Sequence, residues 1–277
     1  MKRTAALAGL IFLLAGCGSS GTSQLTVGAA RTYALVGFAP TKFSAGKPTR
    51  LSFTIDQPSG KPLTSYKTGP GPHTGVHLII VRSDLGALIH EHPPVGADGR
   101  ISETVTLPTP GRYRVVVDAY PNLSGPLRNF QLFRVITAPG TAPHEGLGSF
   151  RRTVVVSGYR FTLTNRPRLK AISPAFLTLD VVRPDGTPAT FTPWFGALAH
   201  AIFFRSGSLD YFHTHVCSAG MTGCTSILGS TRITGRATKP GQLRVGVLVP
   251  VPGTWRLFLQ CKVDGRVLTA PFTLVVG

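Results

Sequence analysis

Acidic residues are scarce in this 277-residue chain: 11 Asp and Glu stand against 29 Lys and Arg, a net charge of +18. The acids are scattered, so paired-carboxylate catalysis has no obvious seat. Neither a G-x-S-x-G elbow nor an H-E-x-x-H helix occurs, which removes common signatures of serine hydrolases and zinc proteases. Methionine is nearly missing, with Met1 and Met221 alone, so a thioether site for Cu(I) is not expected. Long apolar runs are also lacking. The stretch Ala5 to Leu14 is shorter than the roughly 20 residues that span a bilayer. With 23 prolines and 32 glycines, long helices are disfavoured after that stretch. Enzymatic activity is not expected.

The first residues read as an export signal, with Lys2 and Arg3 before the apolar run and small residues before Cys17. Leu14-Ala15-Gly16-Cys17 resembles a bacterial lipobox, which implies cleavage of residues 1–16 and acylation of Cys17 (palmitate among the chains). Residues 17–24, with Gly18-Ser-Ser-Gly21, read as a flexible tether. The expected location is extracytoplasmic, anchored to a bacterial membrane by lipid. Loss of Lys2 and Arg3 leaves a mature charge of +16. An anionic envelope surface suits this field better than nucleic acid, because the arginines are scattered and not interleaved with aromatics.

Six of the eight histidines fall into two trios of identical spacing, H-x12-H-x-H: His77, His90, His92 and His200, His213, His215. The trios are 123 residues apart and sit inside a three-block repeat. Pro58-Ser-Gly-Lys-Pro62 precedes the first trio as Pro184-Asp-Gly-Thr-Pro188 precedes the second. Pro108-Thr-Pro-Gly-Arg-Tyr-Arg114 follows the first as Pro250-Val-Pro-Gly-Thr-Trp-Arg256 follows the second. The last offset is 142, so the second copy carries a 19-residue insertion, which contains Cys217 and Cys224.

Period-two runs such as Leu51, Phe53, Ile55 and Trp255, Leu257, Leu259 predict strands. The chain therefore reads as all-β, with two tandem immunoglobulin-like sandwiches at 25–138 and 150–277 joined by a linker at 139–149. Each histidine block predicts a hairpin. A type II′ turn at Gly207 sets His200 opposite His215 and Arg205 opposite Asp210; the same register sets His77 opposite His92 around Ser83–Gly86. His213 and His90 then share the face of their partners, while Glu91 points the other way. Three neutral imidazoles per hairpin suit a divalent transition metal, Cu(II) or Zn(II), in two sites that need not be equivalent. The alternative is that the histidines only tie down the hairpins of a structural or adhesive envelope lipoprotein.

His73 is a further candidate ligand of the first site, or a loop residue beside Pro72. Cys217 offers a thiolate to the second site, or pairs with Cys224, as an oxidising compartment favours. Cys261 alternates with core positions.

The block G-V-H-L-I-I-V-R-S-D-L-G-A-L-I-H-E-H-P, followed by P-x-P-G-R-Y-R-V, resembles exported bacterial YtkA-like domains and their copper-resistance-like relatives. The resemblance covers the hairpin and last strands of both copies. It implies an immunoglobulin-type fold, a metal-transport partner and ligation by the six histidines of the trios. The second copy departs from it with Val216 where the first has Pro93. The function expected is that of a membrane-anchored lipoprotein binding copper or zinc for sequestration, delivery or sensing.

Overall fold

A computed structural model describes residues 32–124, 129–221, 224, 227–228 and 231–277. The signal segment, Cys17 and the tether up to Gln24 lie outside the described residues. In the first repeat, β1 (Ala34–Ala39), β2 (Thr49–Asp56), β3 (Val76–Arg82), β4 (Leu88–Glu91), β5 (Ile101–Val105), β6 (Gly111–Ala119) and β7 (Phe130–Ala138) follow in order. They pair antiparallel as two sheets, β1-β2-β5 and β4-β3-β6-β7. Between them, Leu51, Phe53 and Ile55 meet Leu78, Ile80, Tyr113, Val115 and Val117 in one core.

The second repeat contains β8 (Thr153–Val156), β9 (Tyr159–Leu163), β10 (Ala175–Val182), β11 (Phe191–Thr192), β12 (Ala199–Arg205) and β13 (Tyr211–Cys217). After these come β14 (Ile227–Leu228), β15 (Thr231–Arg232), β16 (Gly235–Arg236), β17 (Gln242–Val247), β18 (Gly253–Val263) and β19 (Arg266–Val276). Here the sheet is continuous, β11-β18-β12-β13-β16-β17-β10-β9-β8, with β19 on β18. The joint is β16, contributed by the insertion, which pairs parallel to β13 and antiparallel to β17. The architecture is the expected all-β pair of immunoglobulin-like sandwiches. Trp255, Leu257, Leu259 and Cys261 line the second core, the last as an unpaired thiol.

Each repeated block has a structural cause. Gly60 and Gly186, both at positive φ, close the same tight turn by donating to Gln57 O and Arg183 O. In the Pro-x-Pro-Gly block, Tyr113 Oη donates to Thr109 O at 2.7 Å and Trp255 Nε1 to Val251 O at 3.1 Å, the same four-residue return in both copies. Gly111 and Gly253 leave room for the arginine that ends the first histidine strand. A Cβ would meet Arg82 Cδ at 3.3 Å or Arg205 Nε at 2.8 Å.

The hairpin registers are as expected. His200 is opposite His215 and Phe204 opposite Tyr211; Leu78 is opposite Glu91 and Ile79 opposite His90. The strand β4 stops at Glu91, so His92 continues the register without a ladder partner. The turn differs from type II′. Arg205 N donates to Asp210 O and Leu209 N to Arg205 O, so the loop has four residues, Ser206–Leu209, with Leu209 at φ 58°. The side chains of Arg205 and Asp210 nonetheless pair, at 3.6 Å.

Strands β3 and β12 are buried on both faces. Leu78 and Ile80 point into the first core, while Ala199, Ala201 and Phe203 point into the second. The other faces meet each other: Ile79, Val81, Leu85 and Val116 pack on Ile202, Phe204 and Phe258. The linker follows this seam and is tied to both sides. Pro143 O accepts from Arg82 Nη2 at 2.9 Å, and Leu147 O accepts from Thr273 Oγ1 at 2.6 Å.

Phe204 is fully buried in the seam. Phe204→Ala should cost about 3–5 kcal/mol in denaturant unfolding, the loss of a large buried side chain plus the cavity it leaves. A loss below about 1 kcal/mol would mean that the two faces do not pack this way.

Candidate metal centre

His77 and His200 occupy the same place in their repeats: each is the second residue of its strand, two residues before Ile79 and Ile202 respectively. Because β3 and β12 are face to face, both histidines enter the seam, and their hairpin partners enter with them. The trio of the second hairpin is brought together as expected, whereas in the first His77 and His90 join His213 rather than His92, so the two expected sites lie in one interdomain cluster. Two groups of three have ligand nitrogens within 4.8 Å of one another: His77, His90 and His213, and His200, His213 and His215. The first draws on both domains. Ring centroids of His90 and His200 are 4.9 Å apart, and those of His77 and His213 are 5.4 Å apart.

His92 lies outside these two groups but within the cluster. Its ring stacks on His77 at 3.9 Å, and its Nε2 is 3.1 Å from His90 Nε2. His73 packs its ring edge to face with His215 at 4.7 Å. Cys217 is not a ligand: it forms a disulfide with Cys224, of the two alternatives the one favoured by an oxidising compartment.

Hydrogen bonds at the rim fix which nitrogen of each ring faces inward. His77 Nε2 donates to Pro72 O at 2.7 Å, His200 Nε2 to Trp194 O at 2.9 Å and His90 Nδ1 to Gln260 Oε1 at 3.0 Å. The opposite nitrogens, His77 Nδ1, His200 Nδ1 and His90 Nε2, then carry lone pairs. His200 Nδ1 faces His213 Nε2 at 3.3 Å. Two nitrogens held by one tetrahedral ion at about 2.0–2.1 Å lie about 3.3–3.4 Å apart, so these separations are those of a ligand set. Further, the buried atoms His77 Nδ1, His213 Nδ1 and both nitrogens of His215 have no hydrogen-bond partner.

Burial keeps the rings neutral. The pKa of His77, His90, His213 and His215 is well below 6.5, first through desolvation and then through neighbouring histidines. Desolvation, the larger cause in both, brings His200 down to about 4 and His92 to about 2. Neutral imidazole is the form that binds metal.

Several residues of the site are not evident from the trios. Asp118 is the Cα partner of His77, and Gln260 that of His200. These two are equivalent positions of the repeat, and each reaches across the seam: Gln260 to His90, and Asp118 to Tyr211 Oη at 3.2 Å. The Asp118 carboxylate also accepts from Tyr120, Asn129 and Gln131. Its burial still raises its pKa. The rings of Tyr120 and Tyr211 lie 4.8 Å from His77 and 6.2 Å from His213. A polar residue on the outward face of an apolar strand was the available signal.

Trp194 and Phe195 form the cover. Phe195 stacks on His92 at 4.0 Å, and Trp194 meets the edges of His90 and His200 at 5.5 and 5.2 Å. The next residue, Gly196, sits at φ 72° against Gly71 of the other domain, where a Cβ would come within 2.5 Å of the carbonyl carbon.

The buried rings make stability depend on pH. Above about 6.5, folded and unfolded histidines are both neutral. Below it, the unfolded chain takes up protons that the folded cluster refuses, so stability falls as pH drops from about 6.5 toward the folded value of about 4 for His200. Melting of the chelated protein followed by circular dichroism should show this fall, and His215→Gln should make it shallower. An unchanged midpoint across that window would contradict the burial of neutral rings.

In sequence, no curated protein matches the chain. Among solved structures it is similar to invasin, a bacterial integrin-binding protein (15% identity over 88% of this chain and 38% of that one; TM-score 0.24). It is also similar to a tetra-tandem repeat from the extending region of a large adhesion protein (14%, 88% and 50%; TM-score 0.27). Clostridium thermocellum CbhA fibronectin(III)-like modules are a third (12%, 88% and 93%; TM-score 0.22). The chain thus spans 38% of invasin and 50% of the adhesion repeat. At these identities and TM-scores the likenesses carry no conclusion about this chain. Kinship with the YtkA-like or copper-resistance-like domains is not shown. Residues 32–131 and 153–277 both match one family, and the chain belongs to it: Domain of unknown function (DUF8832).

Proposed function

We propose that this is an exported envelope protein that binds a divalent transition metal, copper or zinc, at one histidine centre between its two domains. The observation that carries the reading is the set of four buried imidazole nitrogens with no hydrogen-bond partner. An unsatisfied buried polar atom costs about 1–3 kcal/mol. Histidines serving only to tie down hairpins need the rim bonds to Pro72, Trp194 and Gln260, but not inward lone pairs gathered in a dry seam. Nitrogen ligands throughout, with no thiolate and no thioether, suit Cu(II) or Zn(II).

The Cys217–Cys224 disulfide fits an oxidising compartment. Export and lipid anchoring through Cys17 belong to this reading, as do sequestration, delivery or sensing of the ion and a metal-transport partner. The mature charge of +16, after loss of Lys2 and Arg3, suits contact with an anionic envelope surface. Binding rather than catalysis is proposed because the two larger rings of the cover, Trp194 and Phe195, lie directly over the cluster.

Titration of Cu(II) or Zn(II) into the protein at about pH 7.5, where imidazole is neutral, should give saturable uptake. His77→Ala and His215→Ala, which lie in different domains, should each weaken it at least about tenfold, the scale of losing one ligand or its orientation. Absence of saturable uptake would overturn the reading. A variant set in which only one domain's histidines matter would overturn the interdomain centre.

A further inference from the structure

We infer that the centre takes two metal ions, with the His213 ring between them. This rests on the metal-binding reading and extends it to a dinuclear site.

Ligand number is the first argument. A transition-metal ion bound by imidazoles takes about four ligands, whereas this seam gathers His73, His77, His90, His92, His200, His213 and His215. The nitrogens divide into two sets of three, and His213 is the residue common to both. Each set supplies three nitrogens, which leaves one position on each ion. His92 Nε2, 3.1 Å from His90 Nε2, is placed to fill that position on the first ion.

The second argument is how His213 is held. His77, His90 and His200 each spend one nitrogen on an oxygen at the rim and keep one for the interior. For His213 there is no such rim bond: Nε2 faces His200 Nδ1 at 3.3 Å, and Nδ1 is buried with no hydrogen-bond partner. Both of its nitrogens are therefore available. His200 Nδ1 is a lone pair, since His200 Nε2–H donates to Trp194 O, so the single ring proton of His213 lies on Nε2. Nε2 then serves the ion of His200 and His215, and Nδ1 the ion of His77 and His90. On binding, the Nε2–H bond breaks and the proton leaves to solvent, while Nε2–metal and Nδ1–metal bonds form. One imidazolate then offsets a single unit of the charge of the two divalent ions. Asp118 adds a buried acid whose bonded tyrosines pack against His77 and His213.

The test is Cu(II) titration of the full chain, with metal content per chain and electron paramagnetic resonance read together. Two ions should be bound per chain. The Cu(II) signal should grow over the first equivalent and shrink over the second, because an imidazolate couples the two spins. His213→Gln should hold one ion and show a signal that does not shrink. Saturation of the wild type at one ion overturns the dinuclear site but leaves the metal-binding reading intact; no uptake overturns both. Two ions with an additive signal, or two ions retained in His213→Gln, overturn the bridge. Should His213→Gln fail to fold, the wild-type signal alone decides between coupled and isolated ions.

Discussion

Everything in this structure follows from the meeting of two strand faces, those of β3 and β12. A strand buried on both faces needs a second partner besides its own core, and here each strand is the partner of the other. Ile79, Val81, Ile202 and Phe204 exclude water along the seam. The histidines at the second position of these strands are carried into that dry space by periodicity alone, since His77 alternates with Ile79 and Val81 as His200 does with Ile202 and Phe204. Once there, each ring needs a partner for its N–H. The carbonyls of Pro72 and Trp194 and the amide of Gln260 supply partners on one side only, leaving lone pairs that converge.

Duplication explains the shape of the site and divergence its asymmetry. Equivalent positions hold Asp118 in one repeat and Gln260 in the other, and both reach across to the opposite domain. The amide orients a ring of the cluster directly. The acid sits one tyrosine away, which keeps its charge apart from the neutral imidazoles. The insertion after β13 has its own effect: through β16 it fuses the two sheets of the second sandwich, and the Cys217–Cys224 disulfide ties the end of the second histidine strand to the insertion. Nothing equivalent follows β4 in the first repeat, where the strand stops before His92.

Local patterns in the sequence were sufficient for the strands, the hairpin registers, the repeat of the Pro-x-Pro-Gly blocks and the core place of Cys261. Each depends on residues within one repeat. What local patterns cannot carry is the relation between repeats. The alternation Leu78, Ile79, Ile80, Val81 is apolar on both faces, and that continuous burial was the clue that β3 is covered twice. Read as one hairpin, the trio suggested its own site, so the merging of two trios stayed hidden. Asp118, Trp194 and Phe195 were hidden for the same reason, since their partners come from the other domain. The turn at Ser206–Leu209 was misjudged locally, because Leu209 accepts a left-handed conformation that glycine would more commonly fill.

The central claim is that histidines from both domains surround the same metal. Anomalous diffraction at the copper or zinc edge, from crystals of the metal-loaded chain, tests it directly. Anomalous density is expected in the seam between β3 and β12, with His213 and at least one of His77 and His90 in the same coordination sphere. Density in which every site is enclosed by the histidines of one domain alone, or none in the seam, would contradict it.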